Sequence, residues 1–422
     1  MKTRLKSNLQ NWLQRLEQMQ PDKMELGLER IKRVAAAAGV DHPEFKIITV
    51  AGTNGKGSTV AYCNAILTDL GHRTGVYTSP HFIEFNERIV INNARVDDGL
   101  LCEAFEAIES HRADVALTYF EFTTLAAMYC FAAAQIEVAI LEVGLGGRLD
   151  AVNAWDSDVA CISSIGIDHI DWLGDDRESI GREKAGVARS GQVLVCGDTN
   201  PPDSIAESAS AIGATLVQRN RDFHADSIDK NHWLYRDKEQ SLLLPLPKIV
   251  GSWACDNAAV AICSIGHFLG SLPAQSVIKH ALEKVTMTGR MQMLNVENVP
   301  VILDVAHNPA AADKLAGFLS ESPTDGVTRA VFACMQDKDA AAIVASMSAC
   351  IGQWYIAAID YPRAMSTDDI QREVVRQGQT SVDIFTSVTE ATRAAVAQSG
   401  EQDRVVVFGS FHVVGPALEV LT

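Results

Sequence analysis

The chain has 422 residues, and its 36 Lys and Arg residues against 53 Asp and Glu residues give a formal net charge of −17. This acidic balance argues against a nucleic-acid-binding protein and against docking on anionic lipid, because both depend on a basic surface. The composition, 47% hydrophobic and 21% charged, is typical of a globular protein, and the length favours two domains.

The cysteines and the N-terminal segment favour a cytoplasmic protein. The nine cysteines are odd in number and include no C-x-x-C pair, which is typical of free thiols in a reducing compartment. Lys2 and Arg4 are basic, but Trp12, Leu13 and Leu16 then recur at helical spacing instead of forming an apolar signal segment. No apolar run reaches the roughly 18 residues of a membrane span.

The N-terminal part of the chain alternates short apolar runs with helical patterns. The first strand is predicted over 47–51, directly before a glycine-rich segment, and a helix is predicted over 58–70. A second, strongly apolar helix is expected over 117–134. Further buried strands are predicted over 75–78, 138–143, 158–165 and 192–196. Strands that alternate with helices indicate a mostly parallel sheet covered on both faces.

The pattern changes further along the chain. Residues 223–246 mix polar and apolar side chains at short spacing, which favours a hairpin region, and a helix is predicted over 251–269. A second α/β set has strands predicted over 301–305, 330–334, 354–359, 382–385 and 404–409. We therefore predict a two-domain α/β protein: an N-terminal phosphate-loop domain over 1–287, a linker over 288–296, and a smaller Rossmann-like domain over 297–422.

The strongest local signal joins the first strand to the first helix. Its glycines let the backbone turn tightly and approach a ligand, and the backbone N–H groups that open the helix attract an anion. Lys56 adds a positive charge for phosphates, and the Ser58 hydroxyl suits a phosphate or its magnesium ion. The residues predicted to bind the nucleotide are Gly52, Thr53, Asn54, Gly55, Lys56, Gly57 and Ser58.

The spacing of this segment differs from that of the common phosphate-binding loop. Only Thr53 and Asn54 separate the first glycine from Gly55, and Gly57 rather than a hydroxyl residue follows the lysine. A plain glycine turn is the simple alternative. The order of strand, glycines, lysine, hydroxyls and helix favours nucleotide binding.

Further motifs accompany this loop in a set order. They read Ser-Pro-His at 79–81, Thr-Tyr-Phe-Glu at 118–121, Glu-Val-Gly-Leu-Gly-Gly-Arg-Leu-Asp at 142–150, Asp-His at 168–169, Gly-Arg-Glu-Lys-Ala-Gly at 181–186 and Asp-Val-Ala-His-Asn-Pro at 304–309. With the loop, they resemble the folylpolyglutamate synthase family of the Mur ligase superfamily. The resemblance runs from 26–30 to 409–412, which is nearly the full length.

The resemblance implies an ATP-dependent amide ligase. A pterin-bearing carboxylate would take the γ-phosphoryl group of ATP, and the amino group of L-glutamate would then attack the acyl phosphate. The whole chain closely resembles the bifunctional members, which implies two acceptors: 7,8-dihydropteroate, giving dihydrofolate, and reduced folates, which gain a γ-linked glutamate. A monomer with no nucleic-acid or membrane partner is expected.

The resemblance also implies two Mg²⁺ sites. Ser79 and Glu142 match the ligands of the magnesium ion on ATP, and Glu142 also ends an apolar run, where open α/β sheets place their ligands. His169 and Lys184 match a second site. A protonated lysine cannot bind a metal, and the family carries a carbamate on this lysine, so we expect Lys184 to be carbamylated.

Other residues match contacts to ATP and the catalytic groups of the family. Asn257, Arg290 and Asp304 correspond to adenine, phosphate and ribose contacts, although Gly-Ser-Trp at 251–253 departs from the Gly-His-Gln that many relatives carry ahead of the asparagine. Because Arg290 lies in the predicted linker, we expect domain closure to bring it to ATP. The catalytic residues implied are Lys56, Lys184, Asp304, His307 and Ser410.

Three segments match those that hold dihydropteroate in the bifunctional enzymes. A pterin needs apolar and aromatic walls with a few hydrogen-bonding groups. For Phe120 the alternative is a side chain of the hydrophobic core, since buried aromatic residues are common there. The residues are Glu25, Leu26, Gly27, Thr118, Tyr119, Phe120, Glu121, Leu149, Asp150 and Ala151.

Other functions remain open at this point. A monofunctional folylpolyglutamate synthase would keep the loop and metal residues but not the dihydropteroate segments. A peptidoglycan-precursor amino-acid ligase would need a further section for its uridine diphosphate substrate, and the loop begins near residue 52, which leaves little room for one. A regulatory nucleotide switch would not explain the second metal pair or the motif at 304–309.

Overall fold

The computed structural model describes residues 2–18, 26–251 and 253–422, with the backbone alone described for residues 2–7. Contacts within the chain define two units. The first runs to Lys248 and includes Trp253–Val285, and the second includes Thr286–Thr422 and the short segment that begins at Ile249. No helix in the described part of the chain is long and apolar enough to cross a membrane.

The first unit combines a large sheet with helices and a small hairpin sheet. Its helices are α1 (Lys2–Gln18), α2 (Glu29–Ala38), α3 (Lys56–Asp69), α4 (Asp98–Arg112), α5 (Tyr119–Ala133), α6 (Ile170–Leu173), α7 (Arg177–Ala185), α8 (Asp203–Ile212), α9 (Trp253–Leu269) and α10 (Gln275–Lys284). Its strands are β1 (Lys46–Ala51), β2 (Thr74–Tyr77), β3 (Ile89–Ile91), β4 (Ala94–Arg95), β5 (Val138–Glu142), β6 (Val159–Ile162), β7 (Val193–Cys196), β8 (Thr215–Gln218), β9 (His224–Ser227), β10 (His232–Arg236) and β11 (Ser241–Pro245).

The large sheet is mostly parallel, as predicted. Its order is β4-β3-β2-β5-β1-β6-β7-β8, and at one edge β3 pairs antiparallel with both β2 and β4. The hairpin region predicted over 223–246 forms the antiparallel sheet β11-β10-β9. The strand predicted over 158–165 ends at Ile162, because Ser163 and Ser164 bond with the phosphate loop instead.

The second unit is built on one six-stranded sheet. Its helices are α11 (Pro309–Glu321), α12 (Ala340–Met347), α13 (Thr367–Arg376), α14 (Val388–Ala397) and α15 (Phe411–Leu421). Its strands are β12 (Gln292–Val296), β13 (Val299–Asp304), β14 (Thr328–Phe332), β15 (Gln353–Ala357), β16 (Val382–Phe385) and β17 (Arg404–Phe408), in the order β12-β13-β17-β14-β15-β16. Strand β12 is antiparallel to β13, so most of the segment expected as a linker over 288–296 is a strand of this sheet.

Helices α5 and α9 show no polar face in the sequence because both are enclosed in the core. Helix α5 buries ten consecutive or nearly consecutive side chains from Glu121 to Phe131, and α9 buries the run from Asn257 to Ile265. A helix enclosed on all sides reads as uniformly apolar. All nine cysteines lie in the described ranges and are free thiols, most of them buried, as predicted.

Candidate active site

The phosphate loop approaches its neighbours too closely for any residue but glycine at two positions. Gly52 has a φ of +148°, and a Cβ added to it would lie 2.0 Å from the Ser163 hydroxyl oxygen. Gly55, which precedes α3, has a φ of +89°, and its added Cβ would lie 2.3 Å from Oδ1 of Asn257. The structure therefore brings the predicted adenine contact, Asn257, directly against the loop.

Two serines that the sequence analysis did not select hold the loop in this shape. The Ser164 hydroxyl donates to the carbonyl oxygen of Asn54 at 2.9 Å and accepts from its N–H at 3.1 Å. The Ser163 hydroxyl donates to the same carbonyl oxygen at 2.7 Å. Their signal in the sequence is a pair of small polar residues directly after the apolar run of β6, at the carboxyl edge of a parallel sheet.

Two lysine side chains converge on one carbonyl oxygen of the loop. Nζ of Lys56 and Nζ of Lys184 each donate to the carbonyl oxygen of Gly52 at 3.1 Å. Lys184 is buried, and burial, followed by the charge of Lys56, lowers its pKa to about 7. Two amines this close together attract an anion and favour a neutral or modified state for the more buried one.

Two hydroxyl groups at the start of α3 complete the surroundings of the loop. Ser58 and Thr59 are buried, and among the described residues no hydrogen-bond partner reaches the hydroxyl oxygen of either one. A buried hydroxyl without a partner is unfavourable by itself, so such groups are often ligand contacts. Both lie in the first turn of a helix, where anions bind.

The first predicted metal pair is assembled. The backbone N–H of Ser79 donates to Oε2 of Glu142 at 3.2 Å, which places the two residues side by side at the ends of β2 and β5. The described residues contain no group of three or more His, Cys, Asp or Glu side chains that could hold a metal ion. Ser79 and Glu142 nevertheless fit magnesium, which uses few protein oxygens beside phosphate oxygens and water.

Near the second predicted metal pair, His169 and Lys184, one acidic residue adjoins His169 and acts on the charge of Lys184. His169 precedes α6 in the left-handed backbone conformation, with a φ of +53°. The charge of Asp168, the residue before it, raises the pKa of Lys184 against the larger effect of burial. Asp168 is thus within electrostatic range of Lys184 and is a further acidic group of the site that the sequence analysis did not assign.

The Thr118–Glu121 segment begins helix α5 and is held by hydrogen bonds of its own. The Thr118 hydroxyl accepts from the N–H of Glu121 at 3.2 Å, and Oε2 of Glu121 accepts from the N–H of Thr118 at 2.8 Å, which is a capping box. Nε of Arg30 donates to Oε1 of Glu121 at 3.3 Å. The Glu121 carboxylate is therefore held by two partners, the N–H of Thr118 and the side chain of Arg30.

Phe120 lies against a glycine and a tyrosine. Its ring centroid is 5.9 Å from that of Tyr77, and a Cβ added to Gly144 would lie 2.7 Å from the ring. Of the second pterin segment, Leu149 is half-buried and Ala151 is buried. The Asp150 carboxylate accepts hydrogen bonds from the backbone N–H groups of Leu145 and Val152, so it caps the local backbone. Burial raises the pKa of Asp150 to about 6.

The third pterin segment is only partly described. Glu25 lies outside the described residues. Leu26 is exposed, and Gly27 is half-buried and has open space except towards Glu29 of its own segment. The contact from this part of the chain to the Thr118–Glu121 segment comes from Arg30 instead.

The remaining predicted residues lie in the second unit, around the end of β13. Arg290, Asp304 and His307 lie near one another there. Burial raises the pKa of Asp304, and the charges of Arg290 and His307 both oppose that rise. Ser410 is buried and begins α15, and its hydroxyl accepts the N–H of His412 at 3.2 Å. Nδ1 of His307 lies 2.8 Å from the carbonyl oxygen of Val305.

The chain has the domains of a Mur ligase. Residues 50–265 match the Mur ligase middle domain, and residues 289–411 match the Mur ligase glutamate ligase domain. The chain is 40% identical over 416 residues to the dihydrofolate synthase/folylpolyglutamate synthase of Escherichia coli strain K12, an alignment that covers 98% of this chain and 96% of that protein. The chain belongs to the dihydrofolate synthase/folylpolyglutamate synthase family.

Solved structures agree over the full length. The chain superposes on the E. coli FolC structure in complex with DHPP and ADP with a TM-score of 0.92 and 39% identity, covering 98% of this chain and 97% of that one. It superposes on a bifunctional folylpolyglutamate synthase/dihydrofolate synthase with Mn, AMPPNP and L-glutamate bound with a TM-score of 0.90 and 42% identity, covering 98% of each chain.

Proposed function

We propose that the chain is a bifunctional ATP-dependent ligase that joins L-glutamate to 7,8-dihydropteroate and to reduced folates. The observation that carries the proposal is the convergence of Lys56 and Lys184 on the carbonyl oxygen of Gly52, close to the hydroxyl groups of Ser58 and Thr59, which have no hydrogen-bond partner among the described residues. The relatives with bound nucleotide, pteroate compound and glutamate support the same substrates.

The reaction brings an anionic carboxylate to an anionic phosphate. A carboxylate oxygen of the pterin compound attacks the γ-phosphorus of ATP, and ADP leaves. The neutral amino group of L-glutamate then attacks the acyl carbon and loses one proton to solvent, and phosphate leaves with one of the carboxylate oxygens. Lys56 and the N–H groups at the start of α3 would offset the negative charge of the first step.

Two magnesium ions form part of the proposal. Ser79 and Glu142 would hold the ion on ATP, and His169 with carbamylated Lys184 would hold the second. When bound, magnesium neutralises charge on the transferring phosphoryl group. To form the carbamate, the neutral Lys184 amine attacks carbon dioxide, a nitrogen–carbon bond forms and one proton is released. The lowered pKa of Lys184 supports this step, because only the neutral amine reacts.

The other assigned roles follow the same proposal. Asn257 would contact the adenine, Arg290 the phosphates, and His307 with Ser410 would act in the second unit on the acyl phosphate or the incoming amine. The pterin would be held by three segments: Glu25–Gly27, Thr118–Glu121 and Leu149–Ala151. We also propose that the protein acts as a cytoplasmic monomer.

The test measures ADP release by the purified protein with magnesium, ATP and L-glutamate. Dihydropteroate and tetrahydrofolate are added in separate reactions, and the product masses are read. Ligation of one glutamate to each acceptor is expected. Ligation to tetrahydrofolate alone would remove the dihydropteroate activity and leave a monofunctional synthase.

A further inference from the structure

The carboxylate of Asp304 is bound to backbone donors on both of its oxygens. Oδ2 accepts the N–H of Met291 at 2.8 Å, and Oδ1 accepts the N–H of Ala306 at 2.8 Å. The side chain is buried, and its pKa is raised by burial while the nearby Arg290 charge opposes the rise. Asp304 therefore connects two backbone segments, one that precedes β12 and one that follows β13.

The first of these segments is the turn that carries Arg290. Met291 has a φ of +46°, in the left-handed region that non-glycine residues rarely adopt, and it is buried. The N–H group of this residue is the one that Asp304 accepts. On the other side of Arg290, the carbonyl oxygen of Gly289 accepts the N–H of Val305 at 3.0 Å. The backbone on both sides of Arg290 is thus fixed to the end of β13.

The guanidinium group of Arg290 has a support of its own. Its central carbon lies 5.6 Å from the centroid of the Phe411 ring, a cation–π distance. Phe411 is the first residue of α15, and the Ser410 hydroxyl caps that helix. The ring is therefore held by a helix end and restricts where the guanidinium can lie.

We infer that Asp304 and Phe411 are positioning residues for Arg290. Asp304 fixes the strained turn at Met291, and Phe411 holds the guanidinium group, so that Arg290 meets the phosphates of ATP already oriented. The inference rests on the proposed function of the chain as an ATP-dependent ligase. It is independent of the ribose contact that the family resemblance implies for Asp304, because each carboxylate oxygen takes one backbone donor and keeps a lone pair for a further donor.

The experiment compares ATP with 3′-deoxy-ATP and 2′-deoxy-ATP in the full chain. The value of kcat/KM for each nucleotide is measured for the wild type, Asp304→Asn, Arg290→Gln and the double variant. We expect Asp304→Asn to lower kcat/KM for ATP on the order of tenfold and to add little once Arg290 has been replaced. The same loss is expected with each deoxy-nucleotide, because the positioning of Arg290 does not depend on a ribose hydroxyl group.

Phe411 provides a second readout that does not depend on the fold surviving at Asp304. Phe411→Leu is expected to lower kcat/KM for ATP, whereas Phe411→Tyr, which keeps the aromatic face, restores it. Phe318→Leu, a half-buried phenylalanine on α11, is the matched control and should leave activity unchanged. Thermal unfolding of every variant separates a loss of fold from a loss of positioning.

The outcomes separate the two claims. An Asp304→Asn loss that disappears with the deoxy-nucleotides, or losses that add fully with Arg290→Gln, would overturn the inference while the ligase function stands. Equal activity of Phe411→Leu and Phe411→Tyr would overturn the part that concerns Phe411. A wild-type chain that forms no ligated product would refute the proposed function, and the inference with it.

Discussion

The side-chain amine of Lys184 donates a hydrogen bond to the carbonyl oxygen of Gly52 at 3.1 Å. This bond joins α7 to the phosphate loop across 132 residues of sequence. Because Lys56 donates to the same oxygen, the two amines share one acceptor in a buried setting. The site therefore selects for negative charge, whether that charge belongs to a phosphate or to a carbamate on Lys184 itself.

Replacing Lys184 tests the carbamate. Lys184→Met should lower kcat by about 100-fold, the scale on which altered metal ligation acts. Lys279→Met, an exposed lysine on α10, serves as the control and should keep full activity. Equal activity of the two variants would contradict the role given to Lys184.

The activity should also depend on carbon dioxide and on pH. The neutral amine prevails above a pKa of about 7 and is lost as pH falls through that value. Wild-type activity in buffer freed of carbon dioxide should therefore fall, should recover with added bicarbonate, and should need more bicarbonate at acidic than at alkaline pH. The measurement is the initial rate against bicarbonate at several pH values, and a rate indifferent to bicarbonate throughout would count against the carbamate.

Ser58→Ala should separate function from stability. The hydroxyl group is buried without a partner among the described residues, so its removal should leave the free energy of unfolding unchanged or raise it by about 1 kcal/mol. If the hydroxyl binds phosphate or its metal ion, kcat/KM for ATP should fall by about tenfold.

A matched control exists in the second unit. Thr392 on α14 also has a buried hydroxyl group without a partner in the described part of the chain. Thr392→Val should bring the same or a larger gain in stability with no change in activity. Should Ser58→Ala behave like Thr392→Val in both assays, the ligand role of Ser58 would be wrong.

Gly55→Ala should impair nucleotide binding through Asn257. The new Cβ would lie 2.3 Å from Oδ1 of Asn257, and the φ of +89° is unfavourable for alanine. We expect a loss of about 1–2 kcal/mol in the free energy of unfolding and a rise of about tenfold in KM for ATP. Gly317→Ala, on a helix with open space around it, should be neutral or stabilising.

Phe120→Ala tests the pterin site. If the ring contacts the pterin compound, its loss should cost about 2 kcal/mol of binding, or roughly thirtyfold in KM for dihydropteroate. KM for ATP and L-glutamate should stay near their wild-type values. Parallel rises in the KM values of all substrates would instead indicate that Phe120 is core filler between Tyr77 and Gly144.

Local chemistry made much of the fold predictable. The run before Gly52 contains buried apolar residues and the run after Lys56 is helical, so strand β1, the loop and α3 could be placed from the sequence to within two residues. Strand β12 could not be found in this way, because its side chains alternate between half-buried and exposed and read as a linker. The local pattern also identified the phosphate loop, whereas the family resemblance supplied most of the other candidate site residues and their roles.

Contacts between distant residues set the limit of prediction at the site. Nothing in the sequence near Asp304 indicates that its carboxylate binds the N–H of Met291, because that bond depends on how β12 pairs with β13. The close approach of Ser163 to Gly52 likewise depends on the parallel pairing of β1 with β6. Both arise from tertiary structure rather than from spacing along the chain.

The most direct test of the account follows an oxygen atom. Dihydropteroate and tetrahydrofolate are each labelled with ¹⁸O in the carboxylate that accepts glutamate and are incubated with the protein, ATP, magnesium and L-glutamate. The account predicts that the phosphate released carries one ¹⁸O atom from either acceptor, because each carboxylate is activated as an acyl phosphate in the same site. Ligated product accompanied by unlabelled phosphate would contradict it.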